Sequence, residues 1–470
     1  MNQKLLAAFA AVCISSVSVA ADTPGTRPSD RKAREILEKV ISIPTELGRA
    51  KVPEMAEYLA GEFRAAGFPA DDITVLPYTV TGDKTAALIV RYRGTGKSGK
   101  KPIVVMAHMD VVTARRADWE RDPYQLVEEN GYFFGRGTAD IKSGVTGLTA
   151  TFLRLRQEGF KPSRDLIIYF SGDEETAQET TVVTVRDHRD LIDAEFALNS
   201  DAGGGVLDDD TGKPLFFSLQ AAEKTYADFT LTARNPGGHS SLPRPDNAIY
   251  DLATALGKVQ AYAFPVMSND ITIGSFRAAG KTTPGELGAA MSKFAANPQD
   301  AEAAAVISKN PAVVGQLRTT CVATRLEGGH ANNALPQSAS ANVNCRIFPG
   351  LKVADVGAKL QEIVGSGVEV KELGKAMSSD ASPLRPDVVA AVTRAVQKLH
   401  PGVPVVPDQA SGATDGLVFR AAGIPTYGVN GLFMRPKDEF SHGLNERIPV
   451  EGFYSSLDHW YLLLKDLAGK

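Results

Sequence analysis

Cysteine is scarce in this 470-residue chain: three residues, at positions 13, 321 and 345. So few exclude a disulfide framework, and neither of the later two fits a zinc motif. A basic excess is missing as well, since 51 Lys and Arg face 55 Asp and Glu for a formal net charge of -4. With no Lys/Arg block to concentrate positive charge, nucleic acid is not an expected partner. Beyond the first residues no run of about 20 apolar residues occurs, which argues against a membrane-spanning helix. Gly-x-Ser-x-Gly is absent, and with it the usual signature of a serine hydrolase. Internal repeats and low-complexity linkers are absent too. What remains, 43% hydrophobic and 23% charged, is ordinary for a globular protein, and the length predicts two or three domains.

The N-terminus reads as an export signal. Lys4 supplies the positive end, Leu5 to Val19 the mostly apolar stretch, and Ser18-Val19-Ala20 the small residues of a cleavage site, so residues 1–20 are expected to be removed. Cys13 lies inside this segment behind Val12, where a lipoprotein site would want a small residue. Export to a periplasm or to the medium is the expected localisation. Cys321 and Cys345 then either pair in an oxidising compartment or stay as separate buried thiols.

Apolar runs of strand length follow: Ala86–Arg93, Pro102–Ala107, Leu166–Ser171 and Phe196–Ser200. Helical patterns precede and separate them, from a Ser29 N-cap to about Val40, from Pro53 to Ala66, and from Lys142 to Glu158. Alternation of this kind predicts an α/β domain with a mostly parallel central sheet. The Gly94-Thr95-Gly96-Lys97-Ser98 cluster has Arg91 where a phosphate loop needs its first glycine, so a hairpin turn is expected there. Near Gln220 the pattern changes. Tyr226–Ala233 alternates like a half-exposed strand, Leu252–Ala263 and the Ala-rich stretch Pro284–Leu317 read as helical, and Ala341–Ile347 and Val368–Leu373 as strands around a helix at Val353–Val364. These units predict an inserted α+β domain at about 220–376. It would split a catalytic domain into residues 28–219 and 377–470, the latter with a helix at 387–399, strands near 403–406 and 425–430, and a terminal helix from Glu451.

Five potential metal ligands fall at the ends of these runs: His108, Asp140, Glu175, Asp201 and His442, with Glu174 beside Glu175. Two imidazoles and three carboxylates suffice for two divalent cations if one carboxylate bridges, and the spare glutamate can activate a water. In His108-Met109-Asp110 the carboxylate can accept the second imidazole N–H and fix the tautomer. Read singly, His108 is also a surface-loop histidine near an acid, and Asp140, after Gly135-Arg136-Gly137, is also a helix N-cap. Asp173-Glu174-Glu175 is harder to explain away, because clustered negative charge at the end of a buried strand is costly without cations. Of the seven histidines, 188, 400 and 459 read as structural.

Together the motifs His108-Met109-Asp110, Gly135-Arg136-Gly137 to Asp140, Asp173-Glu174-Glu175, Asp201, Gly237-Gly238-His239 and Ser441-His442 resemble the M20 family of zinc peptidases, in the family's order. The resemblance implies a zinc-peptidase-like catalytic domain and a ferredoxin-like lid through which the family dimerises. It implies two Zn2+, with Co2+ or Mn2+ as substitutes: His108 and Asp201 on one, Glu175 and His442 on the other, Asp140 bridging and Asp110 orienting His108. Glu174 would be the general base, and His239 of a partner's lid would stabilise the oxyanion. Asn333 resembles the lid Asn–Pro element, Arg346 the arginine that grips a substrate carboxylate, and Gly412-Ala413-Thr414-Asp415 the substrate loop, in which Gly412 and Thr414 would contact substrate. A β-strand arginine such as Arg346 is more often a surface salt-bridge former, and an N-cap explains Thr414 or Asp415 nearly as well. The resemblance also implies a cis Asp140–Ile141 peptide. The expected activity is hydrolysis of short peptides, dipeptidase or carboxypeptidase type, with N-acyl-amino-acid deacylation as the alternative. A non-catalytic binding protein is disfavoured because every ligand and the base are present.

Overall fold

Three runs buried on both faces set the architecture of this computed structural model, which describes residues 25–469; the expected signal segment lies outside them. Leu166–Ser171, Ile103–His108 and Phe196–Asn199 are adjacent parallel strands, buried at every position. Their side chains alternate between two cores. Ile103, Val105 and Ala107 join Ile36, Leu59, Leu148, Val392 and Trp460 on one face. Val104 and Met106 join Ile167, Tyr169 and Phe419 on the other. A strand covered on both faces has no polar side to show, which is why these runs are apolar throughout.

Around this centre lies a mixed sheet in the order Ile73–Val80, Asp83–Tyr92, Leu166–Ser171, Ile103–His108, Phe196–Asn199, Thr426–Gly428, Pro214–Glu223, Gly204–Leu207, Phe433–Met434, with Val405–Ala410 also pairing Pro214–Glu223. Asp83–Tyr92 runs antiparallel to both of its neighbours, Leu166–Ser171 and Ile73–Val80. This order corrects the hairpin expected at Gly94–Ser98. Asp83–Tyr92 and Ile103–His108 are separated by Leu166–Ser171, so the loop crosses over the start of that strand. It is tied there by the Gly94 amide to Asp165 (2.8 Å) and the Thr95 amide to the Pro162 carbonyl (2.8 Å). The first helix also differs: it is Pro28–Ile41, with Pro28 rather than Ser29 defining the start, because proline's fixed φ suits the first helical turn.

The catalytic-sheet strand runs to Glu223, three residues past the expected boundary at 220, and Thr225–Arg234 opens the lid. The lid sheet is antiparallel, in the order Thr320–Gly328, Ser338–Ile347, Thr225–Arg234, Val368–Leu373. With helices Ala248–Ala261 and Val353–Val364 packed around Phe229, Leu231 and Val343, it has the ferredoxin-like arrangement. Cys321 and Cys345, opposite each other in register, form a disulfide, which decides between the two readings of these cysteines. The Ala-rich stretch is not one unit. Asp270–Thr282, Gly285–Ala296 and Ala301–Ser308 fold around Phe276, Met291, Phe294 and Ile307, and Asn269 donates to Gln409 of the catalytic sheet (3.0 Å).

His459, expected to be structural, is buried against Phe217 and Trp460, and burial holds its imidazole down at about 4. The fold therefore favours the neutral ring. Its contribution is complete above the unfolded value near 6.5 and is lost as pH falls from there toward 4, at most about 3 kcal/mol. Urea unfolding of metal-free protein is expected to show a shallower acid dependence across that window in His459→Phe than in the parent. Equal slopes would refute the assignment.

Candidate active site

Three neighbouring strands deliver the acids and the first imidazole to one edge. His108 ends Ile103–His108, Glu174 and Glu175 follow Leu166–Ser171, and Asp201 follows Phe196–Asn199. In a parallel sheet the carboxyl ends of strands open into a common crevice. Gly203 (φ +74) turns the chain away after Asp201, and a Cβ there would meet the Gly428 carbonyl oxygen at 2.3 Å. Only glycine fits.

Asp140 arrives from a different element. It precedes helix Lys142–Gln157, and its peptide bond to Ile141 is cis. Its carboxylate does not cap the helix. One oxygen faces His108 Nε2 at 3.0 Å, and the other faces His442 Nε2 at 3.0 Å. His108 Nε2 also lies 3.6 Å from Asp201, and His442 Nε2 lies 2.9 Å from Glu175. Two triads result, His108–Asp140–Asp201 and Asp140–Glu175–His442, each with ligand atoms mutually within 4.8 Å and with Asp140 common to both. Donors at roughly 2.1 Å from a tetrahedral ion sit roughly 3.4 Å apart, so both triads are of a size to hold a divalent cation.

The charge balance fits the same group. Burial pushes the Asp201 carboxyl up to about 7, against the pull of His108 and with Asp140 and Glu175 adding to the rise. Burial likewise raises Glu174 well above the usual range, with Asp201, Asp415 and Asp110 adding to it against His108. Burial opposes ionisation of Asp140 too, but the facing imidazoles of His108 and His442 hold it below the ordinary value. His442 rises to about 10 through its bonds to Asp140 and Glu175. Carboxylates this crowded need positive charge among them, which divalent cations supply.

Asp110 is placed differently from expectation. His108 Nδ1 donates to the Asp110 backbone carbonyl at 3.0 Å, while the nearer carboxylate oxygen is 3.5 Å away. A carbonyl only accepts, so Nδ1 carries the proton and Nε2 is the ligand atom. The Asp110 carboxylate instead accepts the amides of Glu174 (3.1 Å) and Glu175 (3.0 Å), fixing the turn that carries both glutamates. Asp173 turns into the fold, accepting the amides of Glu179 (2.8 Å) and Thr180 (3.0 Å).

A cavity of about 860 Å³ opens above the triads, lined by Glu174, Arg346, Lys375, Gly412 and Thr414 among others. Arg346 lies over the Tyr226 ring (4.7 Å) and donates to the Ser411 carbonyl (3.0 Å). Thr414 is mostly committed elsewhere: its hydroxyl donates to Glu223 (2.6 Å) and accepts from Asn199 (3.0 Å) and the Gly416 amide (3.0 Å). His239 and Asn333 are not brought to this cavity. They sit together on the exposed ribbon Gly238–His239 and Ala334–Leu335, where the Ser240 amide meets the Asn333 carbonyl (3.1 Å).

Sequence reading missed the buried support of the site. Glu223 pairs with Arg420 and accepts from Gln220 (2.6 Å) and Thr414, and Asn199 accepts the Asp201 amide (3.0 Å). Lys375, a second cation in the cavity, was missed as well. Glu223 and Arg420 lie in no motif, and a lone charge in an apolar run was the one available signal for them.

A sheet-edge pair of imidazole–carboxylate triads sharing an aspartate defines a metal-dependent hydrolase. The chain belongs to Peptidase family M20/M25/M40, which matches residues 104–466, and its reaction is hydrolysis of amide C–N bonds. It is 27% identical over 379 residues to human N-fatty-acyl-amino acid synthase/hydrolase PM20D1, covering 78% of this chain and 74% of that protein. Its fold is shared by the M20 metallo-carboxypeptidase Sso-CP2 of Sulfolobus solfataricus (TM-score 0.67, 18% identity, 92% of this chain and 98% of that one). The dipeptidase Dug1p of Saccharomyces cerevisiae shares it too (TM-score 0.65, 17% identity, 94% and 96%).

Proposed function

We propose that this chain is an exported dinuclear-zinc hydrolase of short peptides ending in a free carboxylate, dipeptidase or carboxypeptidase in type. The observation that carries the reading is the pair of triads sharing Asp140 at the floor of a cavity that also holds Glu174 and Arg346. Two bound cations would polarise the scissile carbonyl and make a water acidic near neutral pH. Cobalt or manganese suits the same donors. Glu174, beside the triads but outside both, takes the proton of the attacking water and passes it to the leaving nitrogen. Arg346, propped by Tyr226 and Ser411, receives the substrate carboxylate, with Lys375 adding charge nearby. His239 would reach a developing oxyanion only from a second copy, so a homodimer through the lid is part of the proposal. The exposed edge strand Thr320–Gly328 offers a surface for that pairing. Export is supported by the N-terminal sequence and by the Cys321–Cys345 disulfide. No helix of the described residues is long and apolar enough to cross a membrane.

N-acyl-amino-acid hydrolysis is the second reading, favoured by the name of the human relative. The metal chemistry would be identical, so substrate comparison separates the two. On dipeptide and N-acyl-amino-acid panels the purified enzyme is expected to carry about two zinc per chain, prefer dipeptides, and lose activity to a chelator. Preference for acyl substrates would transfer the assignment to the second reading. Activity that survives removal of all metal would overturn both.

A further inference from the structure

The two triads are not held alike. His108 ends a strand inside the sheet, opposite Ser171 on one neighbour, and the same strand pairs through Met106 with the other. His442 sits on a loop, in the left-handed region (φ +63), with its side chain 56% exposed. Something outside that loop must fix it. Arg136 does so: its guanidinium donates to the carbonyls of Gly443 (3.1 Å) and His442 (3.4 Å) and lies over the Trp119 ring (5.1 Å). The same guanidinium donates to Glu446 at 2.6 Å, in a pair almost wholly inaccessible to solvent.

Glu446 is the other half of the device. One carboxylate oxygen accepts the amides of Ala139 (2.7 Å) and Asp140 (3.0 Å). The second accepts the Gly137 amide (3.0 Å) together with Arg136. Three amides of the loop carrying Asp140, those of Gly137, Ala139 and Asp140, therefore end on one buried carboxylate, four residues after His442. A buried carboxylate with this many donors is rigid, since moving it would strand several of them at once.

We propose that Glu446 and Arg136 are positioning residues that hold Asp140 and His442 in one frame and so set the affinity of the Asp140–Glu175–His442 site, leaving the His108–Asp140–Asp201 site largely independent of Arg136. The inference rests on the dinuclear reading above. Residues behind metal ligands typically change metal affinity by roughly 10–100-fold when replaced. Arg136→Lys keeps the charge facing Glu446 but loses the fork that reaches the loop carbonyls.

The test is Co2+ titration of the apo full-length protein, followed by visible absorption and competition with a chelator. The parent is expected to bind two cobalt ions in two steps. Arg136→Lys is expected to keep one at parental affinity and bind the second about 10–100-fold more weakly, with its absorption band appearing only at the higher concentration. Glu446→Gln, which turns an amide donor toward Arg136 or toward the backbone amides, is expected to weaken the second ion at least as much. Should Glu446→Gln fail to fold, Arg136→Lys still decides. Two parental-affinity sites in Arg136→Lys, or equal weakening of both, would overturn the positioning role. Fewer than two sites in the parent would instead overturn the dinuclear reading and this proposal with it.

Discussion

Glu174→Gln enzyme reconstituted with zinc is expected to hold the parental amount of metal and to turn over roughly 10²–10⁴ times more slowly, the range that a positioned general base supplies. Neither triad contains Glu174, so the ligands are untouched. The backbone of residues 174 and 175 stays pinned by Asp110, and the contact with the Gln178 side chain (2.9 Å) can be kept by an amide oxygen. What the substitution removes is a group that can take a proton. Burial favours the protonated carboxyl, which in the proposed role would help the glutamate accept a proton and hold it until the nitrogen leaves. The loss should fall on kcat, with KM little changed. Parental turnover in a metal-replete sample would remove Glu174 from the reaction.

Glu223→Ala is expected to be the most destabilising single change near the site, by about 3–5 kcal/mol, because it leaves a buried arginine without its partner. Glu223 and the Arg420 side chain are inaccessible. The substitution also strands the Gln220 amide and the Thr414 hydroxyl, each of which donates to the lost carboxylate at 2.6 Å. Native stability is only about 5–15 kcal/mol, so such a loss should bring urea unfolding to a much lower midpoint. Because Asn199 joins Thr414 to the backbone of Asp201, metal retention should fall as well. A parental urea midpoint would show that the pair contributes no net stability.

The parts of this protein that were legible in the chain are those written in local pattern. Ile103–His108 is apolar at every position until His108, and Leu166–Phe170 is apolar just before the Ser171 to Glu175 turn, which announces doubly covered strands and their functional ends. The alternation of Thr225–Arg234 announces a sheet with one solvated face. Elements with weaker patterns went unread. Ile73–Val80 lies at the sheet's edge with mixed exposure, Thr320–Gly328 is a largely exposed edge strand, and Asp270–Thr282 packs on both its own small core and the catalytic sheet. No local signal marks the crossover at Gly94–Ser98, because Leu166–Ser171, far later in the chain, inserts between the two strands that flank it.

Read alone, the chain specified which atoms are available for chemistry: two imidazoles, three carboxylates and a spare glutamate, each tied to an element end by its neighbours. Folding decided how they are shared. It turned Asp140 so that its two oxygens face different histidines, routed the Asp110 carboxylate to backbone amides in place of the imidazole, and left His239 and Asn333 on an exposed ribbon. It also buried Glu446 and Glu223, two unremarked acids, as the supports of the site. The reason is range. Periodicity and capping act over a few residues, whereas the pairing of Arg136 with Glu446 joins positions 310 apart and exists only once the sheet and its loops have closed around them.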